Sequence, residues 1–225
     1  MAETLSRAKK MEGKFDAKTI KSATGWERGA DKRWRYEEPD NITLKEDKIE
    51  DIWENGDSGN NFLPDIIDAP ELFRAYPELK DCRVRFYDIV GAWGLSWGGT
   101  IDIHKGMLAP TTKQYGRTSL YGTLIHEIQH EIQRIEGFSY GEQHRSAEPD
   151  AYDRAAGEVE ARNATYRRGM SSAERKYRLA SETEDVAREN QIVRFRMREE
   201  DESAMDFHQS VVDEFSSEFN PVAEI

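Results

Sequence analysis

The chain has 225 residues, enough for one domain of ordinary size with tails, and a net charge of −12 from 32 Lys and Arg against 44 Asp and Glu. A surface this acidic repels phosphate backbones, so bulk nucleic-acid binding is not expected, and a mean hydropathy of −0.85 leaves a modest core between solvated segments. Cys82 is the single cysteine, which excludes an intramolecular disulfide and a multi-cysteine zinc site, and no apolar run reaches membrane-spanning length, so a soluble cytoplasmic protein is expected.

Residues 1–22 are poor in large apolar side chains and rich in Lys and Ala, the composition of a flexible lead, either a frayed helix or a disordered one. In TGWERGADKRWRYEEPDN, Trp26, Trp34 and Tyr36 interleave with charge between glycines. That pattern predicts a short hairpin or extended arm with aromatic anchors. Residues 41–60 are polar and end in ENGDSGNN, a loop. FLPDIIDAPELFRAYPELKD predicts one or two short helices begun at prolines, with Ile66, Ile67, Leu72, Phe73 and Leu79 covering one side of a core.

CRVRFYDIV and GGTIDIHK alternate as strands do, Val84 and Phe86 opposing Arg83, Arg85 and Tyr87, and Ile101 and Ile103 opposing Asp102 and His104. Between them GAWGLSWGG is expected as a glycine-rich turn region, and MLAPTTKQYGR as a loop. A helix then runs from Thr118 or Ser119 to Ile135. Tyr121, Leu124, Ile125, Ile128, Ile132 and Ile135 form its apolar stripe, and Gly137 is its stop. After a polar loop to residue 150, AYDRAAGEVEARNATYRRG is expected as a second helix. Ser171 and Glu174 form the capping box of a third helix through KYRLA. Ile192, Val193 and Phe195 suggest an edge strand, and residues 199–225, without Lys or Arg, a disordered acidic tail. The expected organisation is a lead over 1–22, one α+β domain over 23–198, in which a small mixed or antiparallel sheet packs on the first long helix, and the tail.

The chemistry gathers in His126-Glu127-Ile128-Gln129-His130. Side chains four apart stack on one helix face, so both imidazoles can grip one metal ion. Glu127 lies beside them, placed to act on water at that metal without ligating it. Catalytic zinc wants a third protein ligand and an open position. The second helix offers Glu158 and Glu160 on nearly opposite faces. Glu158, with Arg154 and Arg162 four residues to either side, reads as part of a solvated face. Glu160, with Ala156 and Ala164 there instead, reads as facing inward and needing a cation, so the pattern favours Glu160 as the third ligand.

HEIQH followed some twenty residues later by GEVEARN resembles the gluzincin arrangement of the zincin-like metallopeptidases. TGWERGADKRWRYE, APELFRAYPELKD, GGTIDIHK, LIHEIQHEIQRIEGF, AGEVEARN and TEDVARENQIVRF together resemble one zincin-like family among the large polyvalent protein associated domains of phages and mobile elements, from about Thr24 to Phe195. The resemblance implies Zn2+ held by His126, His130 and Glu160, Glu127 as general base, and a protein or peptide substrate paired along an edge strand, with GGTIDIHK the candidate. It also allows a host-cell or virion-associated setting. A donor to the developing oxyanion is needed as well, and Tyr140, His144 and Tyr152 are all candidates. The duller alternative is a metal-binding or structural module without catalysis. Cys82 reads as a small buried hydrophobe, His104 as a solvent-facing strand residue, and His208 as a bystander.

Overall fold

The computed structural model describes residues 2–37, 42–110, 117–139 and 150–195. The expected acidic tail, His208, Pro39 of the arm and most of the two loops flanking the long helix lie outside the described residues. What is described is a mixed α+β arrangement of small sheets and several helices, as expected.

Of the two alternatives for the N-terminal lead, the structure has helix. Residues Ala2–Met11 (α1) and Ala17–Thr24 (α2) are helices, and Asp16 caps the second by accepting from Thr19 N at 2.9 Å. Of the apolar side chains here Ala8 and Ile20 are buried, whereas Phe15 is exposed. Gly25 ends α2 at φ 80°, its N–H donating to Lys21 O at 2.7 Å. A side chain there would also run into the Tyr36 ring, so only glycine suits the turn.

The expected hairpin follows as Trp26–Arg28 (β1) and Trp34–Tyr36 (β2), antiparallel. Its aromatics pack within the arm and tie it to α1: the Trp26 ring lies 5.2 Å from that of Tyr36 and its N–H donates to Thr4, and Arg28 stacks over Trp34. Docking onto the rest of the domain falls to charge. Buried Lys21 pairs with Glu27 and, at 2.8 Å, with Glu37, and Arg167 donates to both Glu37 oxygens at 2.8 and 2.6 Å. Burial works to raise the Glu37 carboxyl, but the hydrogen bonds from Arg167 and the charge of Lys21 outweigh it and hold it below the usual range. A depressed folded value stabilises the fold above the unfolded pKa, and the contribution disappears as pH falls through the folded value. Glu37→Gln should therefore cost about 1–3 kcal/mol at neutral pH, allowing for partial exposure, and progressively less below about pH 4. Denaturant titrations at several pH values measure this, and a pH-independent loss would contradict it.

Residues 41–60 hold more than a loop. Thr43–Leu44 (β3) precedes the helix Glu46–Asn55 (α3), whose Ile49 and Ile52 are buried. Asn61–Phe62 (β4), Leu63–Ile66 (α4), Ile67–Asp68 (β5, paired with β3) and Pro70–Ala75 (α5) come next, then a 3-10 turn over Pro77–Asp81. The five core residues expected from this stretch are all buried.

The main sheet is built from β4, Arg83–Tyr87 (β6), Gly94–Trp97 (β7) and Thr100–His104 (β8), in the order β4-β6-β8-β7. β6 and β8 run parallel, and the other neighbours antiparallel. Val84, Phe86, Ile101 and Ile103 line the inner face against the helix Arg117–Glu136 (α6), whose Leu120, Leu124, Ile125 and Ile128 are buried with them. On the outer face Asp102 is fully buried beneath Arg85, Tyr87 and Trp97, all donating to it. GAWGLSWGG is thus a correction: half of it is strand β7, and only Gly98 and Gly99, at φ 54° and 85°, make the turn to β8.

Gly137 terminates α6 at φ 65°, with Phe138 N donating to Gln133 O at 2.9 Å. The second expected helix is two: Ala151–Arg154 (α7) and Ala156–Arg167 (α8), broken at extended Ala155. The break is where Ile192 pairs with Ala155, through Ala156 N to Ile192 O and Ile192 N to Arg154 O, both 2.8 Å. The run around Ile192 is therefore a single bridge and not an edge strand. The capping box forms as expected and opens Ser172–Tyr177 (α9). Among the described residues no helix is long and apolar enough to cross a membrane.

Candidate metal centre

His126 and His130, one turn apart on α6, project their rings together with Nε2 atoms 3.1 Å apart. Glu158 meets them from α8, Oε2 at 3.3 Å from His126 Nε2 and Oε1 at 3.4 Å from His130 Nε2. Ligands about 2.0–2.2 Å from a tetrahedral zinc lie roughly 3.3–3.6 Å from one another, a range that holds both carboxylate spacings and lies just above the imidazole one. Among the described residues these three donors form a group that could hold a metal. The hydrogen-bond inventory points the same way. Two imidazole nitrogens face each other and Glu158 Oε2 is buried without a hydrogen-bond partner, an arrangement that a shared cation could satisfy.

The structure brings Glu158, and not the expected Glu160, to the two imidazoles. Because the chain breaks at Ala155, Arg154 is not on the same helix as Glu158, and its guanidinium donates to Asn190 O instead. Arg162 reaches outward to Asp185. Glu158 then falls in the first turn of α8, where the N-terminal dipole favours a carboxylate, and it is buried. Burial works against its charge, but the two imidazoles outweigh that and hold it well below the usual carboxylate range. Glu160 does find a cation, and that cation is Arg35 of the hairpin.

His130 is pulled down by burial and raised more strongly by Glu158 and Glu127, to about 9. Metal and proton compete for the same lone pairs. Glu127 is buried, and burial raises its carboxyl despite the opposing pull of both imidazoles. Its side chain lies against β7 so closely that a Cβ on Gly94 would sit 2.6 Å from Glu127 Oε1 and from Thr123 Cγ2. Gly94→Ala should therefore displace Glu127 or the strand and cost about 1–3 kcal/mol. Urea unfolding measures it, and unchanged stability would show that the contact yields freely.

The strand beside the centre is β7, not β8. GGTIDIHK lies inside the sheet between β6 and β7, so it cannot be the substrate-pairing edge, whereas β7 pairs on one side only among the described residues. Ser96 of β7 donates to buried Glu131 of α6 at 2.6 Å, and Arg134 holds the other Glu131 oxygen, which fastens the edge to the helix. Tyr152 of α7 lies against Glu158; burial first, then the Glu158 charge, push its hydroxyl far above the ordinary value, so it stays protonated. Tyr140 and His144 lie outside the described residues. Cys82 is buried, and burial, aided by Glu131, pushes its thiol up to about 12, far from a nucleophile. His104 is not at the centre and caps the following turn through Nδ1. Two residues of the centre's surroundings carried too little sequence signal to be found: Gln133, whose only sign is its place three residues after His130, and Gly94.

Residues 2–54 match the model of a family described as Large polyvalent protein associated domain 23. The chain is thus similar to that group across α1, α2, the hairpin and nearly all of α3, a stretch that contains Arg35 and none of the three candidate ligands. No curated protein and no solved structure matches the chain.

Proposed function

We propose that this chain is a zinc-dependent metallopeptidase of zincin type, with His126, His130 and Glu158 as the protein ligands. The observation that carries the reading is the convergence of these three groups beside a buried Glu127 and the side of β7 that pairs with no strand among the described residues. When bound, zinc supplies Lewis acidity, polarising a carbonyl and drawing the pKa of water toward neutrality. Glu127 accepts the proton of the attacking water and delivers it to the leaving amine. Among the described residues β7 pairs with a strand on one side only, which leaves its other side as the place for an extended peptide. Tyr152, held protonated, is the described candidate for donating to the oxyanion.

A non-catalytic metal-binding or interaction module of a phage or mobile-element protein is the competing reading. It leaves Glu127 unexplained, because burying a carboxyl near Glu131 and Glu158 costs stability and a structural module gains nothing from it. The test is casein or peptide-library cleavage by purified protein, lost with a chelator and restored by zinc. A protein with one bound zinc and no chelator-sensitive cleavage would favour the module.

A further inference from the structure

We propose that Arg35 and Glu160 position the metal centre through Gln133, which holds His130 with its Nε2 lone pair turned toward His126 and Glu158. The inference rests on the metal-centre reading and deepens it.

Gln133 is almost fully buried, so its amide must be satisfied inside the protein. Its Nε2 donates to Gly157 O at 2.9 Å and to Glu160 Oε2 at 3.2 Å, two groups that can only accept. That fixes the amide: Oε1 must face His130 Nδ1, 2.9 Å away. An amide oxygen only accepts, so Nδ1 carries the hydrogen, and the neutral ring then has its lone pair on Nε2. This is the atom 3.1 Å from His126 Nε2 and 3.4 Å from Glu158 Oε1. Flipping the amide would set its oxygen against two acceptors, a loss on both sides.

Glu160 is in turn not free to turn away. Arg35 Nε bonds one of its oxygens and Nη2 the other at 3.3 Å. The guanidinium is itself held by buried Asp31 at 2.9 Å and lies 3.3 Å from the centre of the Phe138 ring. A continuous run therefore leads from the hairpin, Asp31 and Arg35, through Glu160 and Gln133 to a candidate ligand. It also gives Glu160 a role that its failure to ligate would otherwise leave open. The arm, the part of the chain similar to a known domain family, thereby sets the orientation of a ligand outside the matched stretch.

The experiment uses the full chain, with zinc affinity from competition against a chromophoric chelator and the visible absorption of the Co2+-loaded protein. Gln133→Leu should weaken zinc by about 10- to 100-fold. Arg35→Met and Glu160→Gln should weaken it by about 10-fold or less, and Arg35→Lys, which keeps the charge and loses the fork, should fall between Arg35→Met and wild type. Each should shift the Co2+ bands. Arg28→Met, which breaks the hairpin's pair with Glu12 away from this run, should change neither readout. Should Gln133→Leu fail to fold, Glu160→Gln and the Arg35 variants carry the test. If Arg35→Met and Glu160→Gln lower only the melting temperature of the chelator-treated protein, with zinc affinity and Co2+ bands unchanged, Arg35 is a structural clamp and the proposal is overturned. A wild type that binds no zinc overturns the centre and this inference together, whereas zinc binding unaffected by every variant overturns the inference alone.

Discussion

Glu127→Gln should lower peptide hydrolysis by about 100- to 10,000-fold while leaving zinc content unchanged. The substitution keeps the shape that packs against Gly94 and removes only the ability to take a proton. The variant should also be no less stable than wild type, since an amide in a site whose burial raises the carboxyl gives up no favourable charge. Initial rates on a fluorogenic peptide library, read with metal content and melting temperature on the same samples, separate these effects. Equal rates in the two proteins would end the general-base assignment even if the metal is present.

The larger effect on the metal itself should come from Glu158. Glu158→Ala removes one of three converging donors and leaves two imidazole nitrogens facing each other, so zinc affinity should fall by about 100- to 1000-fold. Glu160→Ala should fall short of that, by about 10-fold, because Glu160 touches the centre only through Gln133. Parallel titrations of both variants read the contrast. The reverse order would return the third ligand to Glu160.

These outcomes turn on a detail the sequence hid. Spacing within HEIQH was enough to stack both imidazoles and to set Glu127 at their side, because helix geometry is local and the apolar stripe of α6 fixed which way it faces. The alternation in RVRFY and TIDIH likewise put Val84, Phe86, Ile101 and Ile103 inward. The choice between Glu158 and Glu160 needed the phase of a second helix, and that phase depends on a break at Ala155 imposed by Ile192 from a distant part of the chain. No local pattern announces such a bridge. The arginines at four-residue spacing around Glu158 therefore looked like a charged stripe when one of them belongs to a different helix.

Strand β7 was missed for a related reason. Its inward residues are Gly94 and Ser96, small because α6 passes so close, and a strand without bulky inward side chains looks like a turn. Sequence alone leaves α1 and α2 open between helix and disorder because charge, in Lys21 against Glu27 and Glu37, does the docking that apolar residues usually do. Helix α3 rests on only two buried isoleucines in a polar stretch.

Whether imidazoles from α6 and a carboxylate from α8 share one ion can be read from X-ray absorption at the zinc edge. The expected result is one zinc per chain bound by two histidine nitrogens and a carboxylate oxygen at about 2.0–2.2 Å, with the carboxylate contribution lost in Glu158→Ala. A stoichiometrically loaded protein whose zinc spectrum lacks either the two nitrogens or the carboxylate, or that is indifferent to Glu158→Ala, would contradict it.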